Sequence, residues 1–256
     1  MSHKKMAFPN DLEFYYLSSP EETEYIYSEI FTEQQYIKNG IVIHEGDYIF
    51  DVGANIGLFS LFANRIQNQV KIYAFEPIKQ TFQILEANTR LHNLNNIQLF
   101  NYGISSEDNP EKTFIFYPNM AGNSTTKPGE IIADGDDVKT ETNSEPIEDL
   151  FASFFAEEQQ VKCPVRRLSS VMDELGINSI DLLKIDVEGA EYEVLQGIEK
   201  KDWSKIKQIV GEVHDKKGRL EKIQQMLIAH GFSITLEKRE QLPSTYVDTY
   251  NLYAVR

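Results

Sequence analysis

The stretch "YIFDVGANIG", residues 48–57, is the part of this chain that decides its fold. Its apolar run ends at Asp51, as a buried strand would, and Gly53 and Gly57 follow. Glycine lets the backbone turn sharply and pass close to a ligand or a neighbouring element. The next segment, "IGLFSLFANRIQ", has apolar residues near helical spacing. The pattern therefore predicts a strand, a tight turn and a helix.

The same alternation of strand and helix continues along the chain. "VKIYAF" predicts the next strand, "IKQTFQILEANTRLHN" a helix and "IQLFNYGI" a third strand. Later, "SIDLLKIDV" and "IKQIVGEVH" predict two more strands, and "FSITLEKRE" and "NLYAVR" two closing strands. This order predicts an α/β fold with a mostly parallel seven-stranded sheet and helices on both faces.

Two regions depart from this alternation. Residues 1–45 are rich in aromatic side chains, and we expect them to form an N-terminal helical cap on a core of residues 46–256. Within the core, residues 118–165 or so are predicted to be an insertion. Residues 130–149 are strongly acidic, which predicts a surface loop, and a helix is predicted near residues 147–157.

The composition narrows the classes of partner. The chain has 256 residues, with 41% hydrophobic and 25% charged, so an ordinary globular core is expected. The net charge of −15 would repel a nucleic-acid backbone. Apolar runs are shorter than the roughly 20 residues that span a bilayer, and the N-terminus lacks a secretion signal. With Cys163 as its single cysteine, we expect a cytoplasmic protein with no nucleic-acid or membrane partner.

The glycine turn indicates a nucleoside-type ligand. Open parallel sheets bind ligands at the carboxyl ends of their strands, where a helix N-terminus presents free N–H groups. A dinucleotide motif that begins at Gly53 would require glycines at positions 55 and 58, where this chain has Asn55 and Leu58. The spacing D-x-G-x-(G/N)-x-G instead resembles the first motif of S-adenosylmethionine-dependent methyltransferases.

Residues at the ends of the next two strands extend this predicted donor site. Glu76 could accept hydrogen bonds from both ribose hydroxyls, in either ligand class. Asn101 and Gly103 follow the third strand, where an adenine would lie. The full set of predicted donor-binding residues is Asp51, Gly53, Ala54, Asn55, Gly57, Glu76, Asn101, Gly103 and Asp186.

A second group of polar residues follows two later strands. Asp186 ends one strand, and Glu212 and His214 share a face of the next by strand alternation. Since the ends of neighbouring parallel strands lie close together, we expect these three catalytic residues to meet near the donor methyl group. Three roles remain open: Asp186 and Glu212 hold Mg²⁺, which lowers the pKa of a substrate hydroxyl; His214 acts as general base or orients the substrate; or His214 is a structural histidine with satisfied hydrogen bonds.

Taken together, these segments resemble the FkbM-type methyltransferases. "IFDVGANIGLFSLFA", "IYAFEP", "IDLLKIDVEGAEYEVLQGI" and "IVGEVH" are similar to successive motifs of that family, over about residues 36–256. The resemblance implies a Rossmann-like class I methyltransferase that usually methylates a hydroxyl of a sugar, polyketide or peptide. It implies donor positions at the first turn and Glu76, and places Asp186, Glu188 and Glu191 on the motif D-x-E-G-x-E. "NMAGNSTT", from Asn119, corresponds to a polar loop near substrate.

The acceptor implied by this resemblance is a small molecule, either free or bound to a carrier protein. Two other functions compete with methyl transfer. A methyltransferase-like module without activity could bind donor or a partner protein, but it would not need the carboxylates and histidine. An NAD-dependent oxidoreductase is disfavoured by the glycine spacing.

Overall fold

The computed structural model describes residues 4–9, 11–130, 155, 157–239 and 247–256. The predicted acidic loop and the predicted helix near residues 147–157 lie almost wholly outside these ranges. Within them, no helix combines the length and apolar character needed to cross a membrane.

The strands and helices of the described residues follow the predicted alternation from residue 48 onward. The strands are β1 Lys4–Phe8, β2 Leu12–Tyr16, β3 Tyr48–Val52, β4 Lys71–Phe75, β5 Ile97–Phe100, β6 Gly103–Ile104, β7 Asn109–Phe116, β8 Gln159–Arg166, β9 Ile180–Ile185, β10 Ile206–Asp215, β11 Ser233–Lys238 and β12 Asp248–Val255. The α-helices are α1 Pro20–Tyr27, α2 Leu58–Ile66, α3 Lys79–Leu91, α4 Leu168–Leu175, α5 Glu191–Gln196 and α6 Arg219–Ala229. A π-helical turn covers Ser28–Thr32, and 3₁₀ turns cover Gln35–Ile37, Ala121–Asn123, Pro128–Glu130 and Trp203–Lys205.

The main sheet has seven strands in the order β11-β12-β10-β9-β3-β4-β5. The run from β10 to β5 is parallel, and β12 lies antiparallel between β10 and β11. Alternate residues such as Ile49 and Phe50 enter apolar clusters on opposite faces, beneath α2 and α3 on one side and α4 to α6 on the other. This arrangement confirms the predicted α/β fold with a mostly parallel seven-stranded sheet.

The predicted N-terminal helical cap is not confirmed. Strands β1 and β2 form an antiparallel hairpin, and helical structure begins only at α1. In β2, Leu12 and Phe14 are buried while Glu13 between them is more exposed. This two-residue period belongs to a strand, so the aromatic composition alone was a poor guide to helix.

Strands β6 and β7, which precede the predicted insertion, and β8, at its end, form a small second sheet in the order β6-β8-β7. It buries Phe114, Phe116 and Val165 against Ile78, at the start of α3. The loop after β7 is thereby brought to the carboxyl end of the main sheet, where residues 120–124 reach a cavity.

Candidate active site

A cavity of about 440 Å³ lies at the carboxyl ends of β3, β4, β9 and β10. One wall is built by the turns that follow these strands. The opposite wall is built by α1, the π-helical turn and the polar loop at residues 120–124. Residues far apart in sequence therefore share one enclosed space, as in most small-molecule sites.

The backbone at Gly53 forms the floor of one end of the cavity. Gly53 has a positive φ of 78°, and a Cβ there would lie 1.8 Å from the backbone oxygen of Asp186. Asn55 also has a positive φ, of 49°, and its N–H donates to Glu76 Oε2 at 3.1 Å. Gly57 packs against Leu85 at the start of α2, behind the cavity wall. The turn is thus shaped by backbone geometry that leaves no room for a side chain at Gly53.

Asp51 and Lys184 lie beneath this turn. Asp51 is fully buried, and it accepts from Ser60 Oγ at 2.7 Å and lies 3.2 Å from Lys184 Nζ. Lys184 donates to the backbone oxygen of Gly53 at 2.7 Å. Burial lowers the pKa of Lys184, but the charges of Asp51 and Asp186 outweigh it and raise the pKa above its ordinary value. Asp51 therefore holds the lysine that supports the turn.

The carboxylate of Glu76 lines the cavity with both oxygens fixed. Oε1 accepts from Ile78 N–H at 2.8 Å, and Oε2 accepts from Asn55 N–H. Burial raises the pKa of Glu76 to about 7, although both backbone hydrogen bonds lower it. Each carboxylate oxygen can accept a further hydrogen bond, so the group is arranged to receive a pair of hydroxyls.

The two residues predicted to lie near an adenine, Asn101 and Gly103, have different positions relative to the cavity. Gly103 lines the cavity together with Ile104 and Ser105. Asn101 lies behind the wall, where its Nδ2 donates to the backbone oxygens of Glu76 and Pro77 at 2.9 and 3.1 Å. Asn101 therefore fixes the backbone that carries Glu76.

Asp186 lies beside the Gly53 turn, after β9, and is held by the N-terminal segment. Its Oδ2 accepts from the hydroxyl of Tyr36 at 2.8 Å and lies 3.5 Å from Lys184 Nζ. Tyr36 is buried, and burial followed by the charge of Asp186 raises its pKa well above the ordinary value. Sequence patterns gave no sign of Tyr36, because its partner lies 150 residues away.

The structure brings His214 into a cage of carboxylates. His214 Nε2 lies 3.3 Å from Glu188 Oε2 and 3.5 Å from Glu212 Oε1, and Nδ1 lies 3.2 Å from Glu191 Oε1. Burial disfavours the charged imidazole, but these carboxylates outweigh it and raise the pKa of His214 to about 10. The neighbouring carboxylates thus favour the charged form of the imidazole in the free protein.

The two carboxyl groups beside Nε2, those of Glu188 and Glu212, are shifted toward their neutral, protonated form. Burial raises the pKa of Glu188 to about 8, and burial raises that of Glu212 well above its ordinary value. Among the described residues, ligand atoms of Glu188, Glu212 and His214 lie within 4.8 Å of one another. This group differs from the predicted metal pair of Asp186 and Glu212, because Asp186 is turned toward Tyr36 and Lys184.

Arg239, directly after β11, is a cavity residue that the sequence did not reveal. It donates hydrogen bonds to Glu212 Oε2 and to the hydroxyl of Tyr25, and it forms an ion pair with Glu29. The surrounding letters "EKRE" match no motif, and only the fold brings this arginine beside β10.

Comparisons with known proteins agree with this geometry. Residues 51–234 match the family described as the methyltransferase FkbM domain. The chain is 36% identical over 222 residues to the 31-O-demethyl-FK506 methyltransferase FkbM of Streptomyces tacrolimicus. The aligned region covers 85% of this chain and 84% of that protein. It is also 36% identical over 252 residues to the AMB antimetabolite synthetase AmbE of Pseudomonas aeruginosa, which covers 92% of this chain. The chain spans only 12% of the length of AmbE.

The crystal structure of methyltransferase FkbM from Methylobacillus flagellatus has the same fold, with a TM-score of 0.54 and 14% identity over 93% of this chain and 56% of that chain. Fold and site thus define a Rossmann-like methyltransferase. The chain belongs to the FkbM methyltransferase family.

Family and fold support S-adenosylmethionine as the cofactor, and the chain's own residues fit it. The Gly53 turn lines the cavity at the carboxyl end of β3, and Glu76 offers paired acceptors for a ribose. Gly103 lines the wall where a flat base would lie.

Proposed function

We propose that this protein is an S-adenosylmethionine-dependent O-methyltransferase that acts on a hydroxyl of a small natural product, such as a polyketide, peptide or sugar. The observation that carries the proposal is that the Gly53 turn and the buried cluster around His214 line one cavity. The name of the Streptomyces relative, a 31-O-demethyl-FK506 methyltransferase, supports both an oxygen acceptor and a natural product.

In this proposal the donor lies between the Gly53 turn, Glu76 and Gly103. The N-terminus of α2 favours an anionic group such as a carboxylate, and Glu76 receives the ribose hydroxyls. When bound there, S-adenosylmethionine supplies an electrophilic methyl group. Lys184 lies beneath the turn and donates to the carbonyl oxygen of Gly53, which holds the turn in place.

The acceptor hydroxyl must lose its proton as the new bond forms, because a neutral alcohol is a weak nucleophile. We assign that proton to Glu212, whose carboxylate lines the cavity beside His214. His214 serves as the charged neighbour that keeps Glu212 in place, and Glu191 orients the imidazole through Nδ1. Asp186 lies beside this path and is fixed by Tyr36.

The acceptor occupies the side of the cavity that faces α1 and the loop at residues 120–124. Its wall there includes Tyr25, Ile26 and Asn123, a mixture of apolar and polar groups that suits a partly oxygenated compound. The acceptor is either free or attached to a carrier protein.

Two measurements test the proposal. Calorimetric titration with S-adenosylhomocysteine, and in parallel with NADH, tests the ligand class; we expect binding of the former alone. Transfer of a labelled methyl group to hydroxylated polyketides, peptides and sugars, free and on carrier protein, then tests the reaction. Glu212→Gln should bind S-adenosylhomocysteine normally and lose turnover, whereas the exposed Glu45→Gln should retain both.

Other results would redirect the proposal. Failure to bind S-adenosylhomocysteine would reject the donor site. Binding without transfer to any acceptor would favour a binding module. Turnover that disappears with a chelator and returns with Mg²⁺ would assign Glu188, Glu212 and His214 to a cation.

A further inference from the structure

We propose that Arg239 is a positioning residue for methyl transfer, which fixes Glu212 and couples it to the N-terminal segment that covers the acceptor. The inference rests on the function proposed above. The geometry that carries it is a single guanidinium in the cavity wall that reaches Glu212 on β10, Tyr25 on α1 and Glu29 on the π-helical turn.

Arg239 completes the environment of Glu212. One oxygen of this carboxylate, Oε1, faces the imidazole of His214 at 3.5 Å, and the other, Oε2, accepts from Arg239. The carboxylates of Asp186, Glu188 and Glu191 lie nearby and disfavour a further negative charge. Only a cation on each oxygen holds Glu212 in one orientation, because a buried carboxylate is costly without such partners.

Arg239 also neutralises Glu29. This residue is 7% exposed and lies on the π-helical turn Ser28–Thr32, which directs both Glu29 and Ile30 toward the cavity. Such turns occur often at functional sites because the additional residue changes which side chains face inward. The ring of Tyr25 lies 5.9 Å from the guanidinium carbon and adds a cation–π contact. Arg239 therefore connects α1 and the π-helical turn, which cover this part of the cavity, to Glu212, the residue assigned as proton acceptor.

The fold itself does not depend on this tie. Phe14, Tyr27 and Ile30 belong to the apolar cluster that packs the N-terminal segment on the sheet. Loss of Arg239 should thus leave the sheet intact and affect the end of the cavity near Tyr25 and Glu212. The Gly53 turn and Glu76 lie at the other end, so the donor affinity should change little.

The test compares Arg239→Gln and Arg239→Lys with Arg90→Gln, an exposed position on α3. The measurements are kcat and the acceptor KM, binding of S-adenosylhomocysteine, and hydrogen exchange of residues 20–32. For Arg239→Gln we expect kcat about 10- to 100-fold lower, since a misplaced catalytic group costs that much. We also expect faster exchange in residues 20–32 and unchanged S-adenosylhomocysteine affinity. Arg239→Lys should recover part of kcat, because an ammonium replaces only part of the planar fork.

The outcomes separate this inference from the proposed function. Wild-type kcat in Arg239→Gln, or unchanged exchange in residues 20–32, would overturn the positioning role. If the wild type transfers no methyl group while exchange still responds to Arg239→Gln, the proposed function fails and the tie stands. Should Arg239→Gln unfold, Glu29→Gln, which leaves the Glu212 pair intact, should reproduce the faster exchange with a smaller loss of kcat. Unchanged exchange in Glu29→Gln would also overturn the tie.

Discussion

Replacing Glu76 with glutamine is the most direct test of the donor site. In the wild type both carboxylate oxygens accept backbone N–H groups, from Ile78 at 2.8 Å and from Asn55 at 3.1 Å. Glutamine has one acceptor oxygen, so its NH₂ group must oppose one of these N–H donors. The same change removes one of the two acceptors that would face a ribose diol.

The expected loss follows from these contacts. A hydrogen bond to a charged group contributes about 1.5–3 kcal/mol, whereas the backbone N–H that glutamine leaves unsatisfied is unsatisfied with and without ligand and lowers stability only. We therefore expect Glu76→Gln to weaken S-adenosylhomocysteine binding by about 1.5–3 kcal/mol, or about 10- to 150-fold in Kd. The fold should survive, because the substitution conserves size and leaves the Gly53 turn intact.

The pH dependence makes the test sharper. Burial raises the pKa of Glu76 to about 7 in the free protein, and only the ionised form accepts from both hydroxyls. Binding should therefore strengthen as pH rises to about 7 and then level off. Protein stability depends on pH in the opposite direction. The folded state holds the Glu76 proton more tightly than the unfolded state, so the contribution of this group to stability is lost as pH rises from 4.5 to about 7.

Calorimetric titration across this pH range measures both effects. Glu76→Gln should show weak binding with a flattened pH dependence, whereas the exposed Glu45→Gln should follow the wild type. Wild-type affinity in Glu76→Gln would refute the assignment of this carboxylate to the donor. A wild-type affinity independent of pH around 7 would refute the raised pKa.

Three further predictions concern the turn, its support and the cluster. Gly53→Ala places a methyl group 1.8 Å from the Asp186 carbonyl oxygen at a positive φ, so S-adenosylhomocysteine affinity should fall by about 2 kcal/mol or more, measured by calorimetry. Lys184→Met leaves Asp51 buried without its cation and should cost about 3–5 kcal/mol, seen as a lower Tm; adding Asp51→Asn should restore part of it. If Glu212 receives the proton directly, EDTA should leave turnover unchanged, and a loss that Mg²⁺ reverses would contradict that role.

Sequence patterns could predict the Gly53 turn and Glu76, at the end of the cavity where we propose that the donor binds, because their signal is local. The strand that ends at Asp51, the turn at Gly53 and the acid at Glu76 each follow from residues close together in the chain. The mostly parallel sheet could be predicted for the same reason, from strand and helix periods. The N-terminal hairpin was missed, because an aromatic-rich segment was assigned to helix although Leu12 and Phe14 alternate with the period of a strand.

The acceptor end could be predicted only in part. Strand alternation correctly placed Glu212 and His214 on one face, and the parallel sheet brought them to the cavity. It could not show that Glu191 would hold the other imidazole nitrogen, or that Asp186 would turn toward Tyr36. These contacts join distant elements, and the contact with Glu191 is one of those that raise the pKa of His214.

The two ends of the cavity are therefore shaped by different parts of the chain, one mostly by backbone atoms and the other mostly by side chains. The donor end is shaped mostly by backbone: a left-handed turn at Gly53, N–H groups that hold Glu76, and a carbonyl held by Lys184. The acceptor end is shaped by side chains from several separate elements, among them α1, the π-helical turn, β10 and the position directly after β11. A surface of the first kind tolerates little change, whereas the second can be altered by single substitutions at Tyr25 or in the loop after β7. Variation in acceptor choice among proteins with this donor turn should accordingly map to α1, that loop and the position of Arg239, with the Gly53 turn left unchanged.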